Sequence, residues 1–378
     1  MSPPSETLRK IELGDVSRQQ GLTRRANRRL GLVIGAIAAI AVALATLNLW
    51  DHYREEDRIT EQRLQTFNTL RAGALSKFFT AAEEEVRLWS SSPYFTDKAE
   101  ALFALWTAMT GAERAQVRDI LFGGAPTVDL SEAQVDYLLA HERYAEMGSR
   151  FLQSHKFYDL FFIAPDGDVA YTVELESDFG TNLRNIQSGL SDVAAQARGI
   201  DADDVVVSDF APYAPSGGDM ALFMASPMTN AAGERIGTFA VQVSLGIFDE
   251  TINYNAGLGE SGKTLLVGAD HRVRNALEID GESRYLVKID DVLATDAALR
   301  GESYLGRTVG DRGQTVVASA RPLDFLDKRW ALLTEKDLAE IRAPLRPFIW
   351  LYIVAVLGIL IVAWSGYLIL RTRLRTRA

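Results

Sequence analysis

The stretch "FYDLFFIAPDGDVAYTVE", Phe157–Glu174, carries the pattern of an antiparallel hairpin. An aromatic run comes first, a turn at Pro165–Asp168 follows, and Val169, Tyr171 and Val173 then recur at every second position. Side chains that alternate on both sides of a Pro, Asp and Gly turn are typical of two paired strands. The sequence therefore predicts that a sheet begins here.

The segments after the hairpin continue this sheet. A helical or irregular stretch is expected around residues 185–199, and three β-rich runs follow. These runs are "DDVVVSDF" (Asp203–Phe210), "MALFMASPM" (Met220–Met228) and "RIGTFAVQVSL" (Arg235–Leu245). Together they predict a small antiparallel α+β module of about five strands over residues 149–256.

A second module is predicted over residues 257–346. Its expected strands are "KTLLVGAD" (Lys263–Asp270), "RYLVKI" (Arg284–Ile289), "ESYLGRTVG" (Glu302–Gly310), "GQTVVASARPL" (Gly313–Leu323) and "RWALLTEKD" (Arg329–Asp337). A final helix is expected from about Leu338 through Pro347.

The residues before the hairpin are predicted to be helical. Between residues 51 and 91 apolar residues recur mostly at steps of three and four, and no proline occurs before Pro93, which is typical of one long helix. Shorter helices are expected up to residue 148, with a break around Phe122–Ser131. The predicted fold class is thus α+β, a long helix with two antiparallel sheet modules.

Two uncharged apolar runs flank this region, Leu30–Trp50 and Pro347–Leu370. About 20 helical residues cross the roughly 30 Å core of a bilayer, so both runs predict membrane-spanning helices. Ala43–Ala45 resembles a signal-peptide cleavage site, and removal of the first run is the alternative.

Charge predicts the orientation. Arginine and lysine are abundant in residues 1–29 and 371–378, so both ends are expected in the cytoplasm of a bacterial inner membrane, with residues 51–346 outside. That outer segment has 29 Lys and Arg against 47 Asp and Glu, a net charge of −18. Such an acidic surface argues against binding of nucleic acid.

The segment "GLGESGKT" (Gly257–Thr264) matches the phosphate-binding P-loop pattern. A P-loop follows a strand and opens a helix, whereas here "GIFDETINYNA" (Gly246–Ala256) predicts a preceding helix and "TLLVGAD" (Thr264–Asp270) a following strand. The glycines are therefore predicted to form a turn and not a nucleotide site.

Signals of catalysis and of metal binding are missing from the sequence. There is no cysteine, and the four histidines are scattered without the spacing of zinc ligands. Paired acids such as Asp203–Asp204 and Asp290–Asp291 lack the spacing of a calcium loop. We expect no enzyme activity, no cofactor and no metal.

Four ordered segments resemble the double Cache domain, the periplasmic sensory region of bacterial chemoreceptors, histidine kinases and nucleotide cyclases. They are "YDLFFIAPDGDVAYTVELESDFGTNL" (Tyr158–Leu183), "SDFAPYAPSGG" (Ser208–Gly218), "GLGESGKTLLVG" (Gly257–Gly268) and "GDRGQTVVASARPLDFLDKRWALLTEKD" (Gly310–Asp337). The resemblance covers about residues 60–345. It implies a membrane-distal PAS-like module that holds a small ligand, a membrane-proximal module that usually does not, a homodimer along the long helix, and a cytoplasmic signalling partner.

Six residues of the distal module are candidates for the ligand pocket: Tyr158, Asp159, Tyr171, Asp209, Tyr213 and Phe223. Such pockets combine apolar and aromatic walls with a few polar groups. Asp209 is predicted to hold an ammonium group between tyrosine rings. The alternative places Phe223 and Tyr171 in the core and Asp209 in a turn. Arg150 lies near the arginine of amino-acid-binding relatives, but their tryptophan does not follow.

The resemblance predicts an extracytoplasmic sensor that relays ligand binding across the membrane. In related receptors a HAMP module and an output domain follow the second span, where this sequence has only Arg371–Ala378. Two alternatives stay open. The chain is the receptor part of a truncated histidine kinase, chemoreceptor or nucleotide cyclase, or it is a ligand-free structural or assembly subunit of a membrane complex.

Overall fold

The computed structural model describes residues 6–126, 129–244, 246, 252, 257–279, 282–289 and 292–376. The chain divides into two compact units. One comprises Met1–Thr60 and Leu338–Ala378, and the other comprises Glu61–Asp337.

The first unit contains the beginning of helix α1 (Glu6–Ser90) and the C-terminal helices. The hydroxyl groups of Thr46 and Tyr352 lie 2.8 Å apart, and the rings of His52 and Phe348 pack edge to face at 5.4 Å. Gly31–Ser90 and Leu338–Ile369 are long and apolar enough to cross a membrane, and their most apolar windows are almost entirely unburied. These helices are therefore compatible with a bilayer.

The sequence predicted one continuous helix from about Leu338 through Pro347. The structure shows that this helix is interrupted before Pro347. Helix α7 (Leu338–Arg342) is followed by a 3₁₀ turn, Ala343–Leu345, and helix α8 (Arg346–Thr376) begins only after it. Pro344 lacks the N–H that would continue an α-helix, which explains the interruption.

The second unit begins with helices in the places where the sequence predicted them. Helix α1 ends at Ser90, and α2 (Pro93–Ala108), α3 (Gly111–Leu121) and α4 (Glu132–His155) follow. Ser92 caps α2, while Thr110 and Ser131 open α3 and α4 with capping boxes. Helix α4 extends past residue 149, where the sequence placed the start of the distal module.

The distal sheet is antiparallel, and its strand order is β2-β1-β6-β5-β3, with β4 paired to β5. The hairpin and the strands within Met220–Met228 and Arg235–Ser244 are confirmed. The predicted strand Asp203–Phe210 is a strand only at Val206–Val207, and β4 was not predicted. The strands are β1 (Asp159–Ile163), β2 (Val169–Thr172), β3 (Val206–Val207), β4 (Ala211–Tyr213), β5 (Asp219–Thr229) and β6 (Arg235–Ser244).

Each face of the distal sheet has its own apolar core. One face carries Phe162, Tyr171 and Phe239 and belongs to a cluster that includes residues of α1, α2 and α4. The opposite face carries Phe161 and Phe223 and packs against helix α5 (Gly189–Ala197). We call this second surface the α5 face.

The proximal sheet has the order β10-β11-β12-β7, and a small β8–β9 hairpin stands apart from it. The predicted run "RYLVKI" is a strand only at Arg284, and strand β8 and helix α6 were not predicted. The elements are β7 (Lys263–Val267), β8 (Leu277–Ile279), β9 (Glu282–Arg284), α6 (Val292–Leu299), β10 (Tyr304–Val309), β11 (Thr315–Phe325) and β12 (Lys328–Asp337).

The glycine segment leads into a strand and not into a helix. Gly257 and Gly259 have φ of +91° and +88°, a conformation that favours glycine, and β7 begins directly afterwards at Lys263. Lys263 forms ion pairs with Asp311 and Glu335. The predicted helix Gly246–Ala256 lies outside the described residues, apart from Gly246 and Ile252. The lysine of a P-loop stands at the start of a helix, so this segment does not have that architecture.

Candidate functional site

A row of three paired residues crosses the α5 face. Asp159 on β1 pairs with Gln242 on β6, and Gln242 pairs with Phe223 on β5. Directly paired residues of neighbouring antiparallel strands point to the same side of a sheet. The side chains of Asp159, Gln242 and Phe223 therefore lie side by side, and all three are buried.

Two loops add polar side chains to this row. The segment after β2 supplies Glu176 and Asp178, and a 3₁₀ turn after β4, Ala214–Ser216, supplies Ser216. The Tyr213 hydroxyl donates to Asp178 Oδ2 at 2.6 Å. Ser216 Oγ donates to Glu176 Oε2 at 2.6 Å and accepts from Gln242 Nε2 at 3.0 Å. These bonds connect the loops to the sheet.

Four acids make up this site, and we call Asp159, Glu174, Glu176 and Asp178 the carboxylate cluster. Glu176 Oε1 also accepts a 2.7 Å hydrogen bond from the Tyr158 hydroxyl. Asp159 and Asp178 are buried, Glu176 is half-buried and Glu174 is exposed. The cluster thus ranges from the core of the module to its surface.

Asp159 is a fully buried acid. Its Oδ1 accepts from the backbone N–H groups of Leu160, Val173 and Glu174 at 2.7, 3.0 and 3.2 Å, and its Oδ2 accepts from the Thr172 hydroxyl. Burial raises the pKa of Asp159 to about 8, the bond from Thr172 opposes that shift, and the negative charge of Asp178 adds to it. Asp159 therefore exchanges its proton near neutral pH.

The neighbouring acids are shifted in the same direction. Burial raises the pKa of Asp178, although the hydrogen bond from Tyr213 acts against it. Burial, followed by the charge of Glu176, raises the pKa of Glu174. Burial also raises the pKa of the Tyr213 hydroxyl, with the nearby charge of Asp178 as the next cause. A nearby like charge thus adds to the effect of burial at Asp159, Glu174 and Asp178.

Two buried acceptor atoms on this surface have no hydrogen-bond partner among the described residues. They are Oδ1 of Asp178 and Oε1 of Gln242. The Asp178 and Gln242 residues are 3 % and 1 % exposed, so bulk water does not reach them freely. Buried polar atoms in folded proteins nearly always have a partner. The α5 face is therefore incomplete as it stands.

We expect Asp159→Asn to change the pH dependence of stability. Between about pH 4 and 8 the folded chain binds a proton at Asp159 that the unfolded chain releases, so wild-type stability falls as the pH rises through that window. Asparagine stays neutral and keeps the Oδ1 acceptor. The variant should gain about 1.4 kcal/mol relative to wild type for each pH unit crossed.

The measurement is urea unfolding of both chains at pH 5, 6, 7 and 8. Asp204→Asn removes an exposed charge from the same module and should follow the wild-type curve. Parallel curves for wild type and Asp159→Asn would show that Asp159 titrates normally.

The structure brings four of the six predicted pocket residues to one place. Asp159 and Phe223 lie on the α5 face, Tyr213 joins them by its bond to Asp178, and Tyr158 by its bond to Glu176. The rings of Tyr213 and Phe223 pack edge to face with centroids 4.7 Å apart.

Tyr171 lies on the opposite face of the sheet. Its ring stacks on Phe162 at 5.1 Å and meets the ring of His141, on α4, at 4.9 Å. Burial raises the pKa of Tyr171 and lowers that of His141 to about 4. Tyr171 is thus a residue of the helical core, which was the alternative interpretation of the sequence.

Asp209 does not bond to the carboxylate cluster or to its hydrogen-bond partners. It connects the distal sheet module to the proximal one. Its carboxylate accepts from Arg274 Nε and Nη2 at 3.2 and 2.7 Å and from Trp330 Nε1 at 2.9 Å. Burial alone would raise the pKa of Asp209, but the hydrogen bonds and charge of Arg274 bring it below its usual range. We call Asp209, Arg274 and Trp330 the module junction. An aspartate already bound by an arginine is not available for a ligand ammonium group.

The sequence analysis missed Glu176, Asp178, Ser216 and Gln242. The acids had a recognisable signal, since Glu174, Glu176 and Asp178 stand at every second position of "ELESD". The folded segment bends there, and Leu175 has a φ of +51°. Gln242 had no such signal, because only the pairing of β6 with β1 places it beside Asp159.

Comparison with known proteins gives matches among solved structures only. No protein-family model matches the chain, and no curated protein matches it. The ligand-binding domain of the amino-acid chemoreceptor PctC of Pseudomonas aeruginosa, solved with GABA, is 16 % identical with a TM-score of 0.44 and covers 74 % of this chain and 100 % of that one. The ligand-binding domain of Pseudomonas fluorescens CtaA with L-isoleucine is 12 % identical with a TM-score of 0.41 and covers 75 % and 94 %.

The sensory domain of the Campylobacter jejuni chemoreceptor Tlp3 is 8 % identical with a TM-score of 0.44, and covers 77 % of this chain and 98 % of that one. The three matches are ligand-binding or sensory domains of chemoreceptors.

Proposed function

We propose that the chain is a membrane-anchored extracytoplasmic sensor that binds a small molecule on the α5 face and does not catalyse a reaction. One observation carries the proposal: Asp178 Oδ1 and Gln242 Oε1 are buried acceptors without a partner, next to a row of polar and aromatic side chains. Unpartnered buried atoms also occur elsewhere in the described chain, at Asn68 and Thr295 for example, but here two of them adjoin a group of acids without a counterion. A site that binds a ligand leaves them for the ligand.

The relay we propose uses helix α1. This helix continues from an apolar segment to Ser90, whose hydroxyl contacts that of Ser226 on β5, and Arg87 donates to the carbonyl oxygen of Asp203. A ligand that binds one arrangement of α1 and the distal sheet more tightly shifts the population toward it. We propose that the chain forms a homodimer, and that a cytoplasmic partner or output domain responds to the change in population.

The test is a thermal-unfolding screen of the full chain in nanodiscs against amino acids, amines, organic acids and purines. A ligand at about 100 times its Kd adds roughly 2.7 kcal/mol to folding, so at least one class should raise the unfolding temperature by several degrees. Asp178→Asn should abolish the shift, because it removes a charged acceptor of the α5 face.

Asp204→Asn is the matched control, since it removes an exposed carboxylate from the same module outside the site. It should keep the full shift. The proposal fails if no compound stabilises the chain, or if the stabilisation is the same in Asp178→Asn.

A further inference from the structure

We infer that the ligand of the α5 face is an organic cation without a carboxylate, such as an amine, a polyamine or a guanidinium compound. This inference rests on the proposed function of that face as a ligand site. It follows from three features of the site: the carboxylate cluster has no cationic partner, the unpartnered buried atoms are acceptors, and the surrounding groups disfavour an anion.

The first feature is the absence of a counterion. Within the described residues, no Lys, Arg or His is hydrogen-bonded to or ion-paired with any of the four acids. Their partners are the hydroxyl groups of Thr172, Tyr158, Tyr213 and Ser216, and backbone N–H groups. A buried carboxyl group without a cation beside it keeps its proton to a higher pH, and a cation placed next to it favours the ionised form.

Elsewhere in the described chain, buried and half-buried carboxylates are paired with cations; of those that follow, Glu335 is buried and the others are half-buried. Arg114 Nη1 lies 2.8 Å from Asp168 Oδ2, Arg274 binds Asp209, and Lys263 binds both Asp311 and Glu335. The carboxylate cluster departs from this pattern although it concentrates four acids. A cationic ligand would supply the missing charge.

The second feature is the direction of the hydrogen bonds. The hydroxyl groups of Tyr158, Tyr213 and Ser216 already donate to Glu176 and Asp178. The atoms left without partners, Asp178 Oδ1 and Gln242 Oε1, are acceptors. An incoming group must therefore donate, and an ammonium or guanidinium group carries several N–H donors and no acceptor.

The third feature is a surrounding of acids and aromatic rings, which disfavours a carboxylate on the ligand. An acid group brought into the cluster would meet like charges and find no cation, and the buried carboxylates would become still harder to ionise. The aromatic rings of Tyr213 and Phe223 belong to the same surface, and ring faces attract cations and not anions. Amino acids should therefore bind more weakly than the amines that correspond to them.

A metal ion is a less suitable occupant. No group of three or more His, Cys, Asp or Glu side chains in the described part of the chain is arranged to hold a metal. Calcium needs six or more oxygen ligands around one point. Calcium nevertheless belongs in the test as a competing cation.

The experiment compares pairs of compounds that differ by one carboxylate: putrescine with ornithine, agmatine with arginine, and tyramine with tyrosine. Binding to the full chain in nanodiscs is measured by calorimetry at pH 7.5. At least one amine should bind, and its amino acid should bind at least ten-fold more weakly. Asp178→Asn and Glu176→Gln should each weaken the amine at least ten-fold, while Asp204→Asn leaves its affinity unchanged.

Glu176→Gln keeps the inference testable if Asp178→Asn does not fold. Glu176 is half-buried, and the glutamine side chain retains the acceptor Oε1. The cation inference alone is overturned if an amino acid binds as tightly as its amine, or if an anion, a neutral compound or calcium is the one ligand that these substitutions weaken. The proposed sensor function would survive those results. If no compound binds, or if the variants bind like wild type, both the inference and the proposed function are overturned.

Discussion

Trp330→Ala should lower the free energy of unfolding by about 3–5 kcal/mol, the range for truncation of a large buried aromatic residue. Trp330 is 1 % exposed. Its ring stacks on Phe79 of α1 at 5.5 Å and lies 6.0 Å from the ring of Phe210. Alanine leaves a cavity among these rings and removes the hydrogen bond from Nε1 to Asp209.

Trp330→Phe helps to separate the two losses, because it removes the hydrogen bond but keeps a six-membered aromatic ring and so leaves a smaller cavity than alanine does. It should cost about 1 kcal/mol. Leu293→Ala, an exposed residue of α6 in the same module, should stay within about 0.5 kcal/mol of wild type. Urea unfolding of the full chain measures all three. A loss below about 1 kcal/mol for Trp330→Ala would contradict its place in the core.

Arg274→Met should lower the free energy of unfolding by about 2 kcal/mol, because hydrogen bonds to charged groups contribute roughly 1.5–3 kcal/mol. Arg274 is buried and binds the carboxylates of Asp209 and Asp270 at 2.7 and 3.0 Å. Those two side chains are 40 % and 49 % exposed, so water compensates for part of the lost attraction. Methionine preserves most of the apolar volume.

A double-mutant cycle tests the pair itself. Asp209→Asn combined with Arg274→Met should cost less than the sum of the single changes, with a coupling of about 1–2 kcal/mol. Arg284→Met breaks an exposed ion pair with Glu282 in the same module and should cost no more than about 0.5 kcal/mol. Additive single and double variants would show that Asp209 and Arg274 do not interact.

Most of the fold was predictable because its long elements have a clear period. Helix α1 repeats its apolar residues at steps of three and four, and the hairpin of β1 and β2 alternates around a turn. The missed elements are short. Strand β4 has three residues, one of which is Pro212, and helix α6 is apolar nearly all round, so neither presents a pattern of its own. Tertiary contacts decide such segments.

The site was predictable only in part, for the same reason. Asp159 was among the predicted pocket residues. Its neighbour Gln242 depends on strand register, which the sequence does not display. The partner of Asp209 lies 65 residues further along the chain, in the other sheet module. An acid beside a tyrosine therefore looked like a ligand group, although it belongs to the module junction.

The module junction has a consequence for communication inside the molecule. Asp209 and Tyr213 stand on one short segment, four residues apart, which spans about 13 Å when extended. At one end of this segment Tyr213 donates a hydrogen bond to Asp178 of the carboxylate cluster. At the other end Asp209 accepts hydrogen bonds from Arg274 and Trp330. Since Trp330 stacks on Phe79, we expect a movement of Tyr213 to reach the long helix through Asp209 and Trp330. A longer or more flexible segment between Asp209 and Tyr213 would uncouple ligand binding on the α5 face from the long helix.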